Sequence, residues 1–169
     1  ELSGDLFNLA IAASKEIGQA QARALGFNGS DYDVDATRAF LEKASASRAR
    51  MINATTLKEV ETTLASDDPD VSHTFEVARS ARTGTAATAF TGAIASFAIG
   101  ESAAQVAGDV AQKIWVVGSR NPRPEHAAMD GETTPVREAF SNGAQWPGDW
   151  VLGAEGVVNC QCSVDILIP

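Results

Sequence analysis

The sequence changes character near residue 110, and this change limits the folds that the chain can adopt. As far as Gly108 it is rich in alanine, leucine, glutamate, glutamine and arginine, with apolar residues at helical spacing. Beyond Gly108 it consists of short apolar runs separated by proline and glycine. These patterns predict an α+β fold, in which a helical amino-terminal part leads through a long helix into a small antiparallel sheet lobe.

The helical part is expected to begin with one amphipathic helix. Ser3 can cap its start through the hydroxyl group, and Gly26 can end it in the left-handed conformation. The apolar face of this helix is formed by Leu6, Leu9, Ala10, Ala13, Ile17 and Ala20.

Several further helices are expected before Gly108. Asp35 can cap a second helix, and Asn53 can cap a separate third one. After a break at residues 67–69, a fourth helix runs into a fifth across a join that Gly84 weakens, and a short helix follows Gly100. The residues predicted to face inward from the third, fourth and fifth helices include Leu57, Val60, Leu64, Phe75, Phe90 and Ile94.

Two short runs in the last third of the chain are typical of β-strands, at residues 114–117 and 160–168. In the second run Cys162, Val164, Ile166 and Ile168 alternate with polar residues and would share one face. We expect the two runs to pair and to pack against the long helix, with Trp115, Val164 and Ile166 in one core with Phe90 and Ile94.

Composition excludes several classes of function. Thirteen basic against 22 acidic residues give a net charge of −9, which argues against nucleic-acid binding and favours protein partners. No apolar run reaches the 18 residues of a membrane span. Two cysteines are too few for a secreted disulfide framework, which fits the cytoplasm of a host cell. Because the chain begins at Glu1, we expect it to be a fragment or a processed product.

The residues with the clearest chemistry are His126, Asp130, Cys160 and Cys162. Thiolate, imidazole and carboxylate are zinc ligands, and cysteines two positions apart on a strand direct both sulfurs to one face, so these four residues are a candidate zinc site. The alternative is that the cysteines are small buried apolar residues and that the histidine is hydrogen-bonded to Asp130 or a carbonyl group. A disulfide is less favoured, since the Cα atoms of extended residues two positions apart lie at or beyond the limit of comfortable bridge geometry. A thiol enzyme is less favoured, since the neighbouring Asn, Gln and Ser residues provide no positive field to lower the pKa of a thiol.

An ordered set of motifs gives the chain a family resemblance. Its elements are Ala81-Arg82-Thr83, Lys113-x-Trp115, Arg123-Pro124-x-His126, Asp130-Gly131, Phe140, Pro147-Gly148-Asp149, Ala154-Glu155 and Asn159-Cys160-x-Cys162. In this order, over residues 75–168, they resemble the phage Mu F-like minor head family, although Gly84 and Gln161 stand where similar members commonly have Glu and Arg. We call Arg82, Trp115, Arg123, Asp130, Gly131, Pro147, Asp149 and Asn159 the motif residues.

The resemblance implies a virion component and not an enzyme. Residues 1–74 would be a helical lead-in, and residues 75–169 the head morphogenesis domain. The protein would act structurally in procapsid assembly, in the head interior of a phage assembled in the host cytoplasm. Its partners would be the portal or the major capsid protein, with homo-oligomerisation or fusion to a portal protein as further options. A zinc-dependent or thiol enzyme, including a prophage-encoded toxin or effector, is the alternative.

Overall fold

The computed structural model describes the backbone of residues 1–169 and every side chain outside residues 81–83. Its helices are α1 (Leu2–Ala24), α2 (Arg38–Leu64), α3 (Val71–Val77), α4 (Thr83–Val106), α5 (Pro124–Ala127) and α6 (Gly153–Val157), and a π-helical turn (Ala78–Arg82) joins α3 to α4. Its strands are β1 (Gln112–Val117), β2 (Thr133–Pro135) and β3 (Cys162–Leu167). The predicted α+β fold class is confirmed. The predicted boundary between residues 74 and 75 falls inside α3 and remains a prediction.

Helix α1 lies where the sequence predicts it and ends at Gly26 as expected, but Leu9 and Ala20 of its predicted apolar face are exposed. The amide of Gly26, at φ +87°, donates to the Arg23 carbonyl, and the amide of Phe27 donates to that of Ala22. This pair of bonds is a Schellman motif, which requires a left-handed residue. The start was predicted wrongly, because the helix begins at Leu2 and has no side-chain cap.

The buried face of α1 is built from small residues, Ala10, Ser14, Gly18 and Ala22. Tyr32 lies over Gly18, where a Cβ atom would collide with the aromatic ring, and its hydroxyl bonds to Ser14 Oγ at 2.6 Å. From the other side, Ser102 Oγ of α4 donates to the Gly18 carbonyl at 2.7 Å. The small side chains therefore let α1 approach both its neighbours closely.

The second and third predicted helices are in fact one helix, α2. Asn53 lies within it and caps nothing, so the prediction of a break there was wrong. The inward positions assigned beyond this point were also wrong, since Leu57 is 59% exposed, Leu64 60% and Phe75 53%. All the buried residues of α2 occur in its first half, ending at Ala49.

Helix α4 runs unbroken through Gly100, where a separate helix was predicted, and it serves several cores. Phe90 and Ile94 pack with Ala10 and Leu41 of the other helices. Trp115 and Val164 form a second cluster that includes Met129, Phe140 and Ala144, while Ile166 packs against a third around Ala103 and Ala104. The single shared core predicted for these residues was therefore wrong, although Trp115 and Val164 do lie together.

The described strands form an antiparallel sheet in the order β2, β1, β3. Trp115 is opposite Val164, and Val117 is opposite Cys162. Val164 is buried while its neighbours Ser163 and Asp165 are exposed, so the predicted alternation of β3 is confirmed. The central strand β1 thus places Trp115 and the start of β3 on the same side of the sheet.

The loop at residues 144–150 attaches the sheet lobe to the helices. The ring centroid of Trp146 lies 5.1 Å from that of Phe97 in α4 and 5.4 Å from that of Phe40 in α2, in edge-on geometry. Gly148, at φ +85°, presses directly against Ala93 of α4. Trp146 and Gly148 therefore hold this loop against α2 and α4.

Candidate metal centre

His126 is held in a short turn of helix whose start is encoded by proline. Arg123 is extended, as a residue before proline must be, and Pro124 occupies the first helical position, where the lack of an amide hydrogen costs nothing. The four residues of α5 then bring the side chain of His126 into the protein, where it is 4% exposed.

The two cysteines approach the same place from the other end of the lobe. Asn159 turns the chain with φ +56°, in the left-handed region that asparagine tolerates better than most residues. Cys160 follows this turn and Cys162 begins β3, both as half-buried free thiols. Among the described residues, the contribution of Asn159 to the site is this backbone conformation.

Arg123 fastens the two segments to each other. Its Nη2 atom donates to the carbonyl of Val158, just before the turn at Asn159. A second tie is the bond from the Gly118 amide to the Gln161 carbonyl, at 3.2 Å. Arg123 therefore holds the segment before the cysteines next to the turn that carries His126.

These ties bring His126, Cys160 and Cys162 together. The Nδ1 atom of His126 lies 3.6 Å from Cys160 Sγ and 3.4 Å from Cys162 Sγ, and the potential ligand atoms of all three lie within 4.8 Å of one another. These three side chains, which we call the metal group, could hold a metal ion. Three of the four residues predicted for the site therefore contribute to it.

Asp130, the fourth predicted ligand, lies beside the group and is engaged elsewhere. Its Oδ1 atom accepts a bond from the Val117 amide at 2.9 Å, on the residue that pairs with Cys162. Gly131, at φ +78°, completes the predicted turn by donating its amide to the Trp115 carbonyl at 2.8 Å. Asp130 therefore fixes the end of β1, directly opposite Cys162 of β3.

The electrostatics of the site favour neutral side chains when no metal is present. Burial lowers the pKa of His126, as does the nearby Arg123, against opposing effects of Glu125 and a hydrogen bond to the Gly156 backbone. Burial and the adjacent Cys160 together raise the pKa of Cys162 to about 11. Neutral imidazole is the form that binds metals, whereas a thiol with so high a pKa becomes a thiolate only with a cation beside it.

The indole of Trp115 also favours a thiolate with a cation beside it at Cys162. Its Nε1 atom is buried and lacks a partner with full hydrogen-bond geometry, although its contact with the Cys162 sulfur acts to lower the pKa of that thiol. A buried donor without an acceptor is costly, and a thiolate is a far better acceptor than a thiol. A metal-bound Cys162 thiolate would therefore accept a hydrogen bond from the Trp115 indole better than the thiol does.

The remaining motif residues build the lobe around this site. Pro147 is buried, and the carboxylate of Asp149 accepts bonds from the Gln145 and Val151 amides at 2.9 Å and 3.2 Å. Arg82 lies outside the described side chains, so its predicted role remains a prediction. The described cavities are lined by residues other than the metal group. The sequence does not predict a glycine-rich phosphate loop or a hydrolase triad.

Lys113 is a key residue that sequence reasoning noted only as part of a motif. It is 2% exposed, and its Nζ atom donates to Gln145 Oε1 at 3.1 Å. A signal was present, because Lys113 is two positions from Trp115 and the two must face the same side of a strand. This lysine thus links the central strand to the loop closed by Asp149.

Comparisons with models of protein families, with curated proteins and with solved structures found no match to this chain. A search of the described helices for a membrane span also found no candidate, since none combines the required length with the required apolar character.

Proposed function

We propose that this chain is a minor head protein of a tailed phage, acting structurally in procapsid assembly at the portal or the inner capsid surface. One observation carries the proposal. Several motif residues that lie far apart along the chain support one small lobe and its metal group. They are Trp115, Arg123, Asp130, Asp149 and Asn159. The motif of a family that does not catalyse a reaction is expected to consist of residues that maintain the fold. The common structural role of these residues therefore supports the resemblance to the phage Mu F-like minor head family.

Zinc is the metal we propose for this group. At a tetrahedral centre with Zn–S of about 2.3 Å and Zn–N of about 2.0–2.1 Å, a thiolate sulfur and an imidazole nitrogen lie about 3.6 Å apart. The Sγ to Nδ1 distances of 3.4 Å and 3.6 Å match this spacing. The hydrogen bond from His126 to the Gly156 backbone is the kind of outer contact that fixes the ring of a zinc-bound histidine. When bound, the ion would cross-link the segment that carries His126 to the segment that carries the two cysteines.

An alternative function is a zinc-dependent enzyme, and one observation favours it. The described group provides three protein ligands, the number usual at catalytic zinc, where the fourth position is left to water or substrate. Against it, the three cavities described above are lined by other residues, so none of them offers a substrate cleft beside the group. A thiol enzyme is disfavoured by the raised pKa of Cys162, because the causes of that shift include no cation.

Metal analysis and thermal unfolding test the site. We expect about one equivalent of zinc per chain and a lower melting temperature in chelator, since metal binding in a small lobe contributes to folding. His126→Ala should lose the metal, whereas His73→Ala, at the exposed second histidine on α3, should keep it. Less than about a tenth of an equivalent of zinc, with melting indifferent to chelator, would remove the metal from the proposal.

The function itself is tested in an infected cell. We expect the protein to copurify with portal or capsid protein and to show no measurable affinity for duplex DNA at physiological salt, given its net charge of −9. Destabilised variants such as Trp115→Ala should give malformed particles in complementation. Normal filled heads from a folded His126→Ala/Cys160→Ser variant that has lost an enzymatic activity would favour the alternative.

A further inference from the structure

A cavity of about 170 Å³ lies at the junction between helix α4 and the sheet lobe. Its walls come from α4, from β1 and β3, from the residues that follow β2 and from the loop at residues 144–150. The apolar part of the wall includes Phe97 and Trp146. The polar side chains in the wall are Ser96, Glu101, Lys113, Arg137 and Gln145. Because engineered cavities of about 150 Å³ accommodate benzene, this space is large enough for a ligand of about six heavy atoms.

The polar wall contains buried donors whose hydrogen-bonding capacity is not filled by the described residues. The Lys113 ammonium group has three N–H donors, and the described acceptor for them is Gln145 Oε1, at 3.1 Å. Ser96 is 3% exposed, and its hydroxyl group has no hydrogen-bond partner among the described residues. Since buried polar groups are normally hydrogen-bonded, both side chains have capacity left for a ligand in the cavity.

The charges in the wall favour an anion. Lys113 and Arg137 are basic, and Glu101 is the acidic side chain in the wall. The Glu101 carboxylate accepts a hydrogen bond from Gln105 at 3.0 Å. Burial raises the pKa of Tyr32, and Glu101 acts in the same direction, whereas Glu101 is not among the groups that shift the pKa of Lys113. The negative charge of Glu101 is therefore directed away from the buried ammonium group.

Arg137 marks the point where the cavity reaches solvent. It lines the cavity while its side chain is 57% exposed. Its Nη2 atom donates to the Ala104 carbonyl at 3.0 Å, and its Nε atom lies 3.7 Å from the carboxylate of Asp109. Because this ion pair is exposed, it is weak and leaves the guanidinium able to attract an anion. We place the entrance of the cavity at Arg137.

Two further carboxylates act on Lys113 from outside the cavity wall. Burial lowers the pKa of Lys113 to about 8, although Asp149 and Glu138 act to raise it. The Asp149 oxygens accept hydrogen bonds from the backbone amides of Gln145 and Val151. Glu138 is exposed to solvent. The ammonium group is therefore only partly compensated, and an anion inside the cavity would stabilise its charged form.

We infer that this cavity binds a small monocarboxylate, whose carboxylate group is held by the Lys113 ammonium group and whose short apolar body lies against Phe97 and Trp146. The Ser96 hydroxyl group is a further donor in the same wall. One partly compensated cation matches a single negative charge, and the apolar wall matches a hydrocarbon body, which inorganic phosphate lacks. The inference goes beyond the proposed phage function and does not depend on the metal group.

Titration calorimetry of the intact chain with butyrate and with butyramide tests this inference. The two compounds have nearly the same shape, but only butyrate is charged. At constant ionic strength we expect butyrate to bind with a dissociation constant of about 1 mM or below, which is within the range of ligands of this size. Butyrate should bind at least about tenfold more tightly than butyramide, because hydrogen bonds to charged groups are the stronger ones. Absence of saturable butyrate binding, or equal binding of the two compounds, would overturn the inference.

Substitutions in the wall locate the bound carboxylate. Lys113→Met removes the charge but keeps an unbranched side chain, and it should weaken butyrate binding by about tenfold or more. Ser96→Ala removes a hydroxyl group that no described residue bonds, so it should leave the fold intact and weaken binding by about threefold or more. Lys43→Met and Ser45→Ala, both on α2 and outside the cavity wall, are the matched controls and should bind butyrate as the unmodified chain does.

The same variants separate the cavity from the metal group, since a carboxylate can also bind zinc. Lys113→Met retains all three residues of the metal group, so undiminished butyrate binding by this variant would place the ligand outside the cavity and overturn the inference. Circular dichroism checks that each variant is folded. If Lys113→Met unfolds, Ser96→Ala decides the question, and unchanged affinity for butyrate in that variant would overturn the inference.

Discussion

Replacing the buried Lys113 with methionine should change how the stability of the fold depends on pH. The Nζ atom of Lys113 bonds to Gln145 and lies 5.2 Å from the centre of the Phe140 ring. Burial lowers the pKa of Lys113 from 10.5 to about 8, although the carboxylates of Asp149 and Glu138 act to raise it. The folded protein therefore releases this proton at a lower pH than the unfolded chain does.

The sign and size of the effect follow from proton linkage. Between about pH 8 and pH 10.5 the unfolded chain binds more protons at Lys113 than the folded protein, so the free energy of unfolding rises with pH. The slope is at most about 1.4 kcal/mol per pH unit, and between pH 7 and pH 9 the lysine contributes about 1 kcal/mol. Below about pH 7 the cost of burying the charge is present in full.

Other groups titrate in the same range and act in the opposite direction. Burial raises the pKa of Tyr32, and it raises that of Cys162 to about 11, so the folded protein keeps these protons longer than the unfolded chain. Their contributions to the free energy of unfolding fall as the pH rises above the pKa values that the same groups have in the unfolded chain. Lys113→Met leaves both groups in place, so the difference between the two proteins isolates the lysine.

Urea unfolding followed by tryptophan fluorescence, at constant zinc concentration and from pH 7 to pH 9, measures this difference. At neutral pH the two proteins should be within about 1 kcal/mol, because methionine removes a buried charge but also a hydrogen bond and a cation–π contact. The unmodified protein should then gain about 1 kcal/mol over Lys113→Met by pH 9. Lys43→Met, at an exposed position on α2, is the control and should show no gain. Curves for Lys113→Met that stay parallel to the parent within about 0.3 kcal/mol would refute the reasoning.

Two other substitutions test the packing of the lobe. Trp115→Phe should leave the protein folded but weaken zinc binding by about tenfold or more in competition with a chelator, because it removes the indole N–H beside the Cys162 sulfur. Unchanged zinc affinity would show that this contact does not support the site. Gly148→Ala should lower the melting temperature more than Gly143→Ala, since both glycines have positive φ but only at Gly148 would a Cβ atom lie 3.0 Å from Ala93. Equal losses would show that backbone strain alone matters.

The sequence predicted those parts of the fold that depend on local signals. Gly26 ends α1 as expected because a left-handed residue is needed there, and the alternation of β3 follows from burial of one face of a strand. The shared chemistry of His126, Cys160 and Cys162 also indicated correctly that these residues lie together. Cys160 was predicted to lie on the same strand as Cys162, but it precedes β3, in the turn after Asn159. The end of α1 and the alternation of β3 therefore depend on neighbouring residues, whereas the site was found from residue chemistry alone.

The predictions that failed needed information from distant residues. Leu57 and Leu64 follow helical spacing, but a spacing cannot reveal that no described element covers that face. Helix α4 is apolar on most sides, so its periodicity could not tell that Phe90 faces other helices while Ile99 faces the Trp115 cluster. Asp130 has the chemistry of a ligand, and only the position of the Val117 amide shows that it is used elsewhere.

The metal group joins two segments that lie far apart along the chain. His126 is separated from Cys160 and Cys162 by 34 and 36 positions, and the two segments are also held together by the bond from Arg123 to the Val158 carbonyl and by the hydrogen bond of His126 to the Gly156 backbone. An ion that binds only the folded lobe adds its binding free energy to the stability of the fold. Cys162 also packs against the apolar cluster around Trp115, so the metal and this cluster would stabilise the same part of the lobe. A metal at this position would therefore stabilise the lobe as a structural element, which agrees better with an assembly role than with catalysis.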